Sequence, residues 1–333
     1  MTKPKAVALY SGGLDSTLAI IVMINHGVVI EAVNFNTDLI PDQDTKAFHD
    51  RLKREADKFG FTYKSIHLGG KFIDMVKNPD HGYGKNINPC IDCKIMMLRE
   101  AGKYIREIGA QFLITGEVVG QRPMSQMKPT LRQIEKAAGL EGLIVRPLSG
   151  KLLDPTIPEK QGLIERDWLL DINGRSRKIQ LDMAAKYGIE DYPTPAGGCL
   201  LTDVNYSIRL KDLFDHQETY SGSEIYLLRC GRHFRLSPKA KLIVGRDEND
   251  NNRIEKLASS DDYIVEVKDT GSPVAILSGT ASEDDINLAA TIVAGYSDSK
   301  AMPEVTVDID RHGQNRKIEV LPAGRDISQK YIL

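Results

Sequence analysis

The chain has 333 residues, 41% hydrophobic and 27% charged, with 44 Lys and Arg against 46 Asp and Glu. That length suits two domains with substantial cores. The near-neutral charge excludes a global basic field for nucleic acid, so any RNA site must be a local patch. No apolar run is long enough to span a membrane, and no signal-peptide apolar region precedes the first strand. Four cysteines do not make a disulfide framework, so a cytoplasmic enzyme is expected. Ala6 to Tyr10 reads as a buried strand, Ser11-Gly12-Gly13 as a tight turn, and Leu18 to Ile24 as a helix that stops at Gly27. Such a strand, glycine loop and helix N-terminus form a phosphate site, because unpaired N–H groups and the helix dipole face the loop. No Lys follows the glycines, unlike the P-loop. Asp15 beside a polyphosphate makes sense if Mg²⁺ bridges the two.

Further along, Val28 to Phe35 reads as a second strand, 44–59 as a charged amphipathic helix and Phe61 to His67 as a third strand. This alternation predicts a parallel α/β sheet with helices on both faces and ligands beyond the strands' carboxyl ends, where Ser11 and Asn36 lie. Residues 68–89 read as a long loop. A helix follows over roughly 95–108, then a strand at Phe112 to Thr115, whose exit carries Gly116, Glu117 and Gln121. Next come a helix over 131–138, a strand over 143–146, and helices over 160–169 and 176–187. A Pro/Gly loop over 191–198 leads to Cys199. From about residue 205 the pattern becomes that of a smaller α+β domain, with strands over 225–230, 240–244, 263–267, 274–277, 305–309 and 317–321. Short helices are expected over 208–214 and 253–258, and a longer one over 283–293. The expected domains are 1–203 and 204–333.

Cys90 and Cys93 sit two residues apart at a helix start, where the helix N-terminus would favour thiolates. Residue chemistry leaves four readings open: a redox pair, a zinc site short of a ligand, a three-cysteine iron–sulfur cluster with one iron left open, or a merely buried Cys199. Cys230, in an apolar stretch, reads as structural.

The Ser11-Gly12-Gly13-Leu14-Asp15-Ser16 stretch resembles the SGGxDS motif of the PP-loop ATP pyrophosphatases, which split ATP between the α and β phosphates. Leu113 to Glu117, with Gly120-Gln121 and Ser125-Gln126, resembles the corresponding segment of the ThiI-like tRNA 4-thiouridine synthetases. The likeness spans most of residues 5–203. Cys90, Cys93 and Cys199 look like the [4Fe-4S] ligands of the cluster-dependent tRNA thiolases. Residues 230–247 are similar to the RNA-binding segment of the NFACT proteins. The resemblance implies a Rossmann-like PP-loop domain (adenine nucleotide alpha hydrolase-like) and an NFACT-like RNA-binding domain. The THUMP and rhodanese regions of the better-known relatives are not expected here.

On that resemblance the enzyme adenylates a tRNA uridine, U8 being the expected one, and replaces its oxygen by sulfur. Tyr10, Ser11, Gly12, Gly13, Asp15, Ser16, Thr17, Asn36, Gly116, Glu117 and Gln121 would contact ATP, with Asp15 on Mg²⁺. Cys90, Cys93 and Cys199 would be catalytic and hold the cluster. Arg175, Arg177 and Lys178 at a helix start, and Arg232 and Arg235, would bind RNA. The implied partners are tRNA and a sulfur donor, either sulfide or a desulfurase, with no membrane and a homodimer left open. The rivals are a 2-thiouridine synthetase using cysteine persulfide and a PP-loop amide- or nitrile-forming ligase with zinc.

Overall fold

The computed structural model describes residues 3–37, 39, 46–122, 125–193, 199–268 and 270–333. The chain divides into two compact units, Met1–Cys199 and Leu200–Leu333. Among the described residues no helix is long and apolar enough to cross a membrane.

The first unit runs β1 (Lys5–Leu9), α1 (Leu14–Ile24), β2 (Val29–Asn36), α2 (Lys46–Phe59), β3 (Thr62–His67), α3 (Gly70–Lys77), α4 (Cys90–Ile108), β4 (Phe112–Ile114), α5 (Lys128–Ala138), β5 (Ile144–Val145), α6 (Ile157–Lys160) and α7 (Lys178–Tyr187). Its five strands lie in the order β3-β2-β1-β4-β5 and are all parallel. Side chains alternate across the sheet. Ala6 and Ala8 of β1 join one core with Leu18 and Ile21 of α1, Leu52 of α2 and Ala184 of α7. Val7 and Leu113 face the other way and are fully buried, and α4 packs across β1 and β4. The chain leaves β1 toward β2 on one side, and β4 takes the other. The crevice beyond the carboxyl ends of β1 and β4 is therefore the topological switch point, where parallel sheets bind ligands.

Two expectations fail here. Residues 68–89 are not all loop, because Phe72, Ile73 and Val76 make one buried helical face and give α3. The helix expected over 160–169 does not form. α6 ends at Lys160, Gly162 turns left-handed at φ +70°, and 166–168 make only a 3-10 turn. Residues 194–198 of the expected Pro/Gly loop, and 44–45 of the expected second helix, lie outside the described residues.

The second unit runs α8 (Val204–His216), α9 (Gly222–Leu227), β6 (Arg232–Ser237), β7 (Ala240–Val244), α10 (Glu248–Leu257), β8 (Tyr263–Glu266), β9 (Ala275–Gly279), α11 (Glu283–Tyr296), β10 (Val305–Arg311), β11 (Gln314–Val320) and α12 (Arg325–Ser328). Its six strands form an antiparallel sheet in the order β11-β10-β8-β9-β7-β6. Phe234, Leu242 and Leu277 pack with Ile286, Ala290 and Val293 of α11, whereas Ile243 and Ile276 meet Leu227, Cys230 and Ile254. The strand expected over 225–230 is instead α9 and a turn. Ser221 and Glu224 form a reciprocal capping box that starts a helix, and this outweighs the apolar run after it.

Candidate active site

Gly12 has φ +70°, and a Cβ there would fall 2.3 Å from Leu52 Cδ2. Only glycine fits both constraints. Gly13 is ordinary extended backbone (φ −90°, ψ 155°) and precedes α1 without a capping side chain, so the helix's first N–H groups remain available. Ser16 Oγ and Thr17 Oγ1 donate to Gly13 O at 2.7 and 3.3 Å, and Gly13 N–H donates to Ser11 Oγ at 3.3 Å. From α2, both terminal nitrogens of Arg51 donate to Gly12 O at 3.3 Å. Sequence reasoning missed this brace, because Arg51 reads there as one more charge on an amphipathic helix.

Asp15 stands on the first turn of α1. Its Oδ2 accepts from Gln121 Nε2 at 2.9 Å, and Arg177 Nη2 is 3.7 Å from its Oδ1. Asp15 Oδ1, Gln121 Oε1 and Arg177 Nε are all buried without a hydrogen bond. A buried polar atom left unpaired costs about 1–3 kcal/mol. Two orphaned acceptors and an orphaned cationic donor beside a helix N-terminus suit a metal–polyphosphate group, the carboxylate facing the cation and the guanidinium facing phosphate. Gly116 closes this wall. A Cβ there would lie 2.5 Å from Ser16 N and 2.6 Å from Asp15 C, so the exit of β4 rests on the backbone of α1.

Of the other expected contacts, Tyr10 is 1% exposed, with its ring 5.4 Å edge-on from Phe61. Asn36 is also buried and donates to Ser65 Oγ at 2.7 Å. Both support the crevice from within. Arg177 faces Asp15, while Arg175 and Lys178 are exposed.

Glu117 is the hub of an ion network. It pairs with Lys94, accepts from Arg146 Nε at 2.9 Å and from Thr115 Oγ1 at 3.1 Å, and Arg146 also pairs with Glu135. Burial by itself would raise the Glu117 pKa, but Lys94 and Arg146 hold it at about 2. Glu117 is therefore a fixed carboxylate that ties the exit of β4 to the cysteine turn, since Lys94 follows Cys93 on α4. Lys94 and Arg146 were missed as site residues. A charged residue closing the apolar Leu143-Ile144-Val145 run was the available signal.

Pro89 precedes α4, so Cys90 and Cys93 both lie on its first turn, and Cys93 N–H donates to Pro89 O at 2.9 Å. Between them, Asp92 accepts from the His81 backbone at 3.0 Å and lies 2.7 Å from its Nδ1. Burial, then the neighbouring Cys199 and Cys90, push the Cys93 thiol up to about 12, with Lys94 opposing only in part. These effects outweigh the helix N-terminus, which alone would favour a thiolate. The fold thus brings Cys199 into electrostatic range of the Cys90–Cys93 turn. Thiols are the donor type that iron–sulfur clusters take, so Cys90, Cys93 and Cys199 fit such ligation by their chemistry. Among the described residues no group of three or more His, Cys, Asp or Glu converges on a single ion. Cys230 is buried in the second unit, where its Sγ approaches Tyr226 O at 3.8 Å. Also there, Arg232 lies 4.8 Å over the Tyr296 ring and donates to Gly245 O at 3.3 Å. Arg235 donates twice to Asp212, at 2.9 and 2.7 Å.

Residues 1–154 match the family model described as Thiamine biosynthesis protein (ThiI). That match covers most of the first unit and less than half of the chain. Residues 231–332 match the NFACT protein RNA binding domain. A probable tRNA sulfurtransferase of Thermococcus kodakarensis is 29% identical over 158 residues, which cover 45% of this chain and 38% of that protein. A probable tRNA sulfurtransferase of Methanosarcina mazei is 35% identical over 124 residues, covering 36% and 29% respectively. The chain therefore spans about a third of the length of these curated relatives. A crystal structure of a 4-thiouridine synthetase–RNA complex with bound ATP is 29% identical, covers 44% of this chain and 37% of that one, and has a TM-score of 0.35. The ThiI-type match holds the glycine loop, Asp15, the Gly116–Gln121 exit and the Cys90–Cys93 turn. Arg177 and Cys199 lie beyond it.

Proposed function

We propose that the chain is a cytoplasmic, ATP-dependent tRNA sulfurtransferase that converts a tRNA uridine, U8, to 4-thiouridine. The observation that carries this reading is the orphaned Asp15 Oδ1, held beside Arg177 at the N-terminus of α1 in a ThiI-type domain. The N–H groups that open α1, with the Ser16 and Thr17 hydroxyls, would cradle the phosphates. Asp15 would hold Mg²⁺, which stabilises charge on the leaving pyrophosphate when bound. Arg177 would take a phosphate oxygen. Uridine O4 attacks the α-phosphorus, the α–β phosphoanhydride bond breaks, and pyrophosphate leaves. Hydrosulfide then attacks C4, and AMP departs with the former uridine oxygen. Adenylation is needed because a carbonyl oxygen is otherwise a poor leaving group.

Cys90, Cys93 and Cys199 would hold a [4Fe-4S] cluster, which supplies an open iron for a sulfur ligand when bound. Lys94 and Glu117 position the cysteine turn against the nucleotide crevice. The second unit, with its match to an NFACT RNA-binding domain, would hold tRNA. Mass analysis of tRNA nucleosides from a deletion strain tests the reading. Loss of 4-thiouridine is expected. Loss of 2-thiouridine alone would move the chain to the wobble-uridine enzymes, and unchanged thiolated nucleosides would overturn it.

A further inference from the structure

The second unit contains a cavity of about 340 Å³ between α8, α9 and the β6–β7–β9 side of its sheet. Its walls are apolar where Leu213, Leu227 and Ile243 line it, and basic where Arg235, Lys239 and Lys241 do. Lys241 is the unusual member, with a side chain only 9% exposed. Its ammonium stands 2.9 Å from Asp212 Oδ2 in an ion pair. Asp212 is already shared. It accepts both Arg235 hydrogen bonds, and His216 Nδ1 lies 3.4 Å from its other oxygen. The cavity's second carboxylate, Glu224, is spent on capping α9, accepting from Ser221 N–H at 2.7 Å. A buried ammonium and a half-buried guanidinium thus share one carboxylate, with the exposed Lys239 lining the same cavity, and a buried ammonium whose acceptor is shared is costly. Burial first, and then Arg235 and Arg209, weaken Lys241's hold on its proton. A bound anion would reverse that.

We propose that this cavity binds one phosphate-bearing nucleotide of an RNA strand. Its phosphate meets Lys241, Lys239 and Arg235, and its sugar and base lie on the apolar wall. The volume falls in the range of small-ligand pockets, and the basic edge supplies a local patch of the kind a near-neutral chain needs to meet RNA. The proposal rests on the RNA-binding reading of this unit and adds the place and the ligand group. It also recasts Arg235, which lines the cavity while donating both hydrogen bonds to Asp212.

The test is lysine acylation footprinting of the full-length protein, read at Lys239 by mass spectrometry, with bulk tRNA, uridine monophosphate and inorganic phosphate as separate probes. Protection of Lys239 by tRNA is expected. Lys239→Glu and Lys241→Met should each weaken tRNA binding about ten-fold and lower its salt slope by about one, with ATP affinity unchanged. Lys239 is exposed, so its variant carries no folding penalty and decides the matter if Lys241→Met is unstable. Protection by uridine monophosphate or phosphate but not by tRNA would overturn the RNA source. Wild-type tRNA binding with Lys239 unprotected and both variants unaffected would overturn the cavity while sparing the RNA-binding reading. No tRNA binding by the wild type would overturn both.

Discussion

The Arg177 guanidinium stands 3.7 Å from Asp15 Oδ1, the two side chains only 16% and 22% exposed. The approach is too long for a hydrogen bond, and Asp15 Oδ1 and Arg177 Nε stay unpaired. On the proposed function Asp15 would hold the metal and Arg177 a phosphate oxygen. Arg177→Gln is expected to lower kcat/KM for ATP at least ten-fold and leave the Kd for tRNA unchanged, measured by pyrophosphate release and by tRNA titration. Weakened tRNA binding with normal ATP kinetics would return Arg177 to the RNA surface.

Gly116 and Gly13 should behave oppositely. A Cβ at Gly116 meets the backbone of Ser16 and Asp15, which cannot swing aside, whereas at Gly13 it meets only Ser11 Oγ at 3.3 Å. Gly116→Ala should displace the first turn of α1, cost about 1–3 kcal/mol and weaken ATP binding at least ten-fold. Gly13→Ala should be tolerated within a few-fold. Calorimetric titration of both variants with ATP checks the contrast.

The strand–turn–helix of the glycine loop was legible because its signals are local: an apolar run, two glycines, then a helical pattern. Gly12 and Gly13 looked alike, however, and they are separated by the left-handed backbone of Gly12 and its tertiary contact with Leu52. The pairing of residue 15 with 177, of 51 with Gly12, and of 146 with 117 depends on chain folding. No sequence spacing announces such contacts. The helix at 222–227 was legible in principle from Ser221-x-x-Glu224, but the apolar run after it drew a strand reading. The parallel sheet and the separate antiparallel unit follow from element alternation and its loss after residue 205.

Glu117 should govern acid stability in the first unit. Its folded pKa is about 2 against an ordinary 4.5. Its contribution is therefore fully present above pH 4.5 and lost as pH falls from there toward 2. Glu117→Gln is expected to lower stability at pH 7 by about 3–5 kcal/mol, because Lys94 and Arg146 lose their shared buried carboxylate. It should also flatten the decline between pH 4.5 and pH 2. Urea unfolding across that range reads both effects, and an unchanged acid limb would show that other carboxylates set it.

The cysteines separate ligand from redox roles. Replacing Cys90, Cys93 or Cys199 by Ala is expected to remove most of the iron and the thiolation from anaerobically prepared protein, while ATP binding survives. Cys230→Ala, in the second unit's core, should leave both intact at a cost of about 1 kcal/mol. Iron-free protein that is fully active with sulfide would reassign the three cysteines to persulfide chemistry.

The most direct measurement incubates anaerobic protein with ATP, Mg²⁺, sulfide and unmodified tRNA, and quantifies pyrophosphate and 4-thiouridine in the same samples. Equal amounts of the two are predicted, with no thiouridine when ATP is omitted. Asp15→Asn should lower both about 10²–10³-fold, as expected for loss of preorganised charge stabilisation, with its melting temperature unchanged. Pyrophosphate release indifferent to tRNA, thiouridine formed without ATP, or a fully active Asp15→Asn variant would contradict the account.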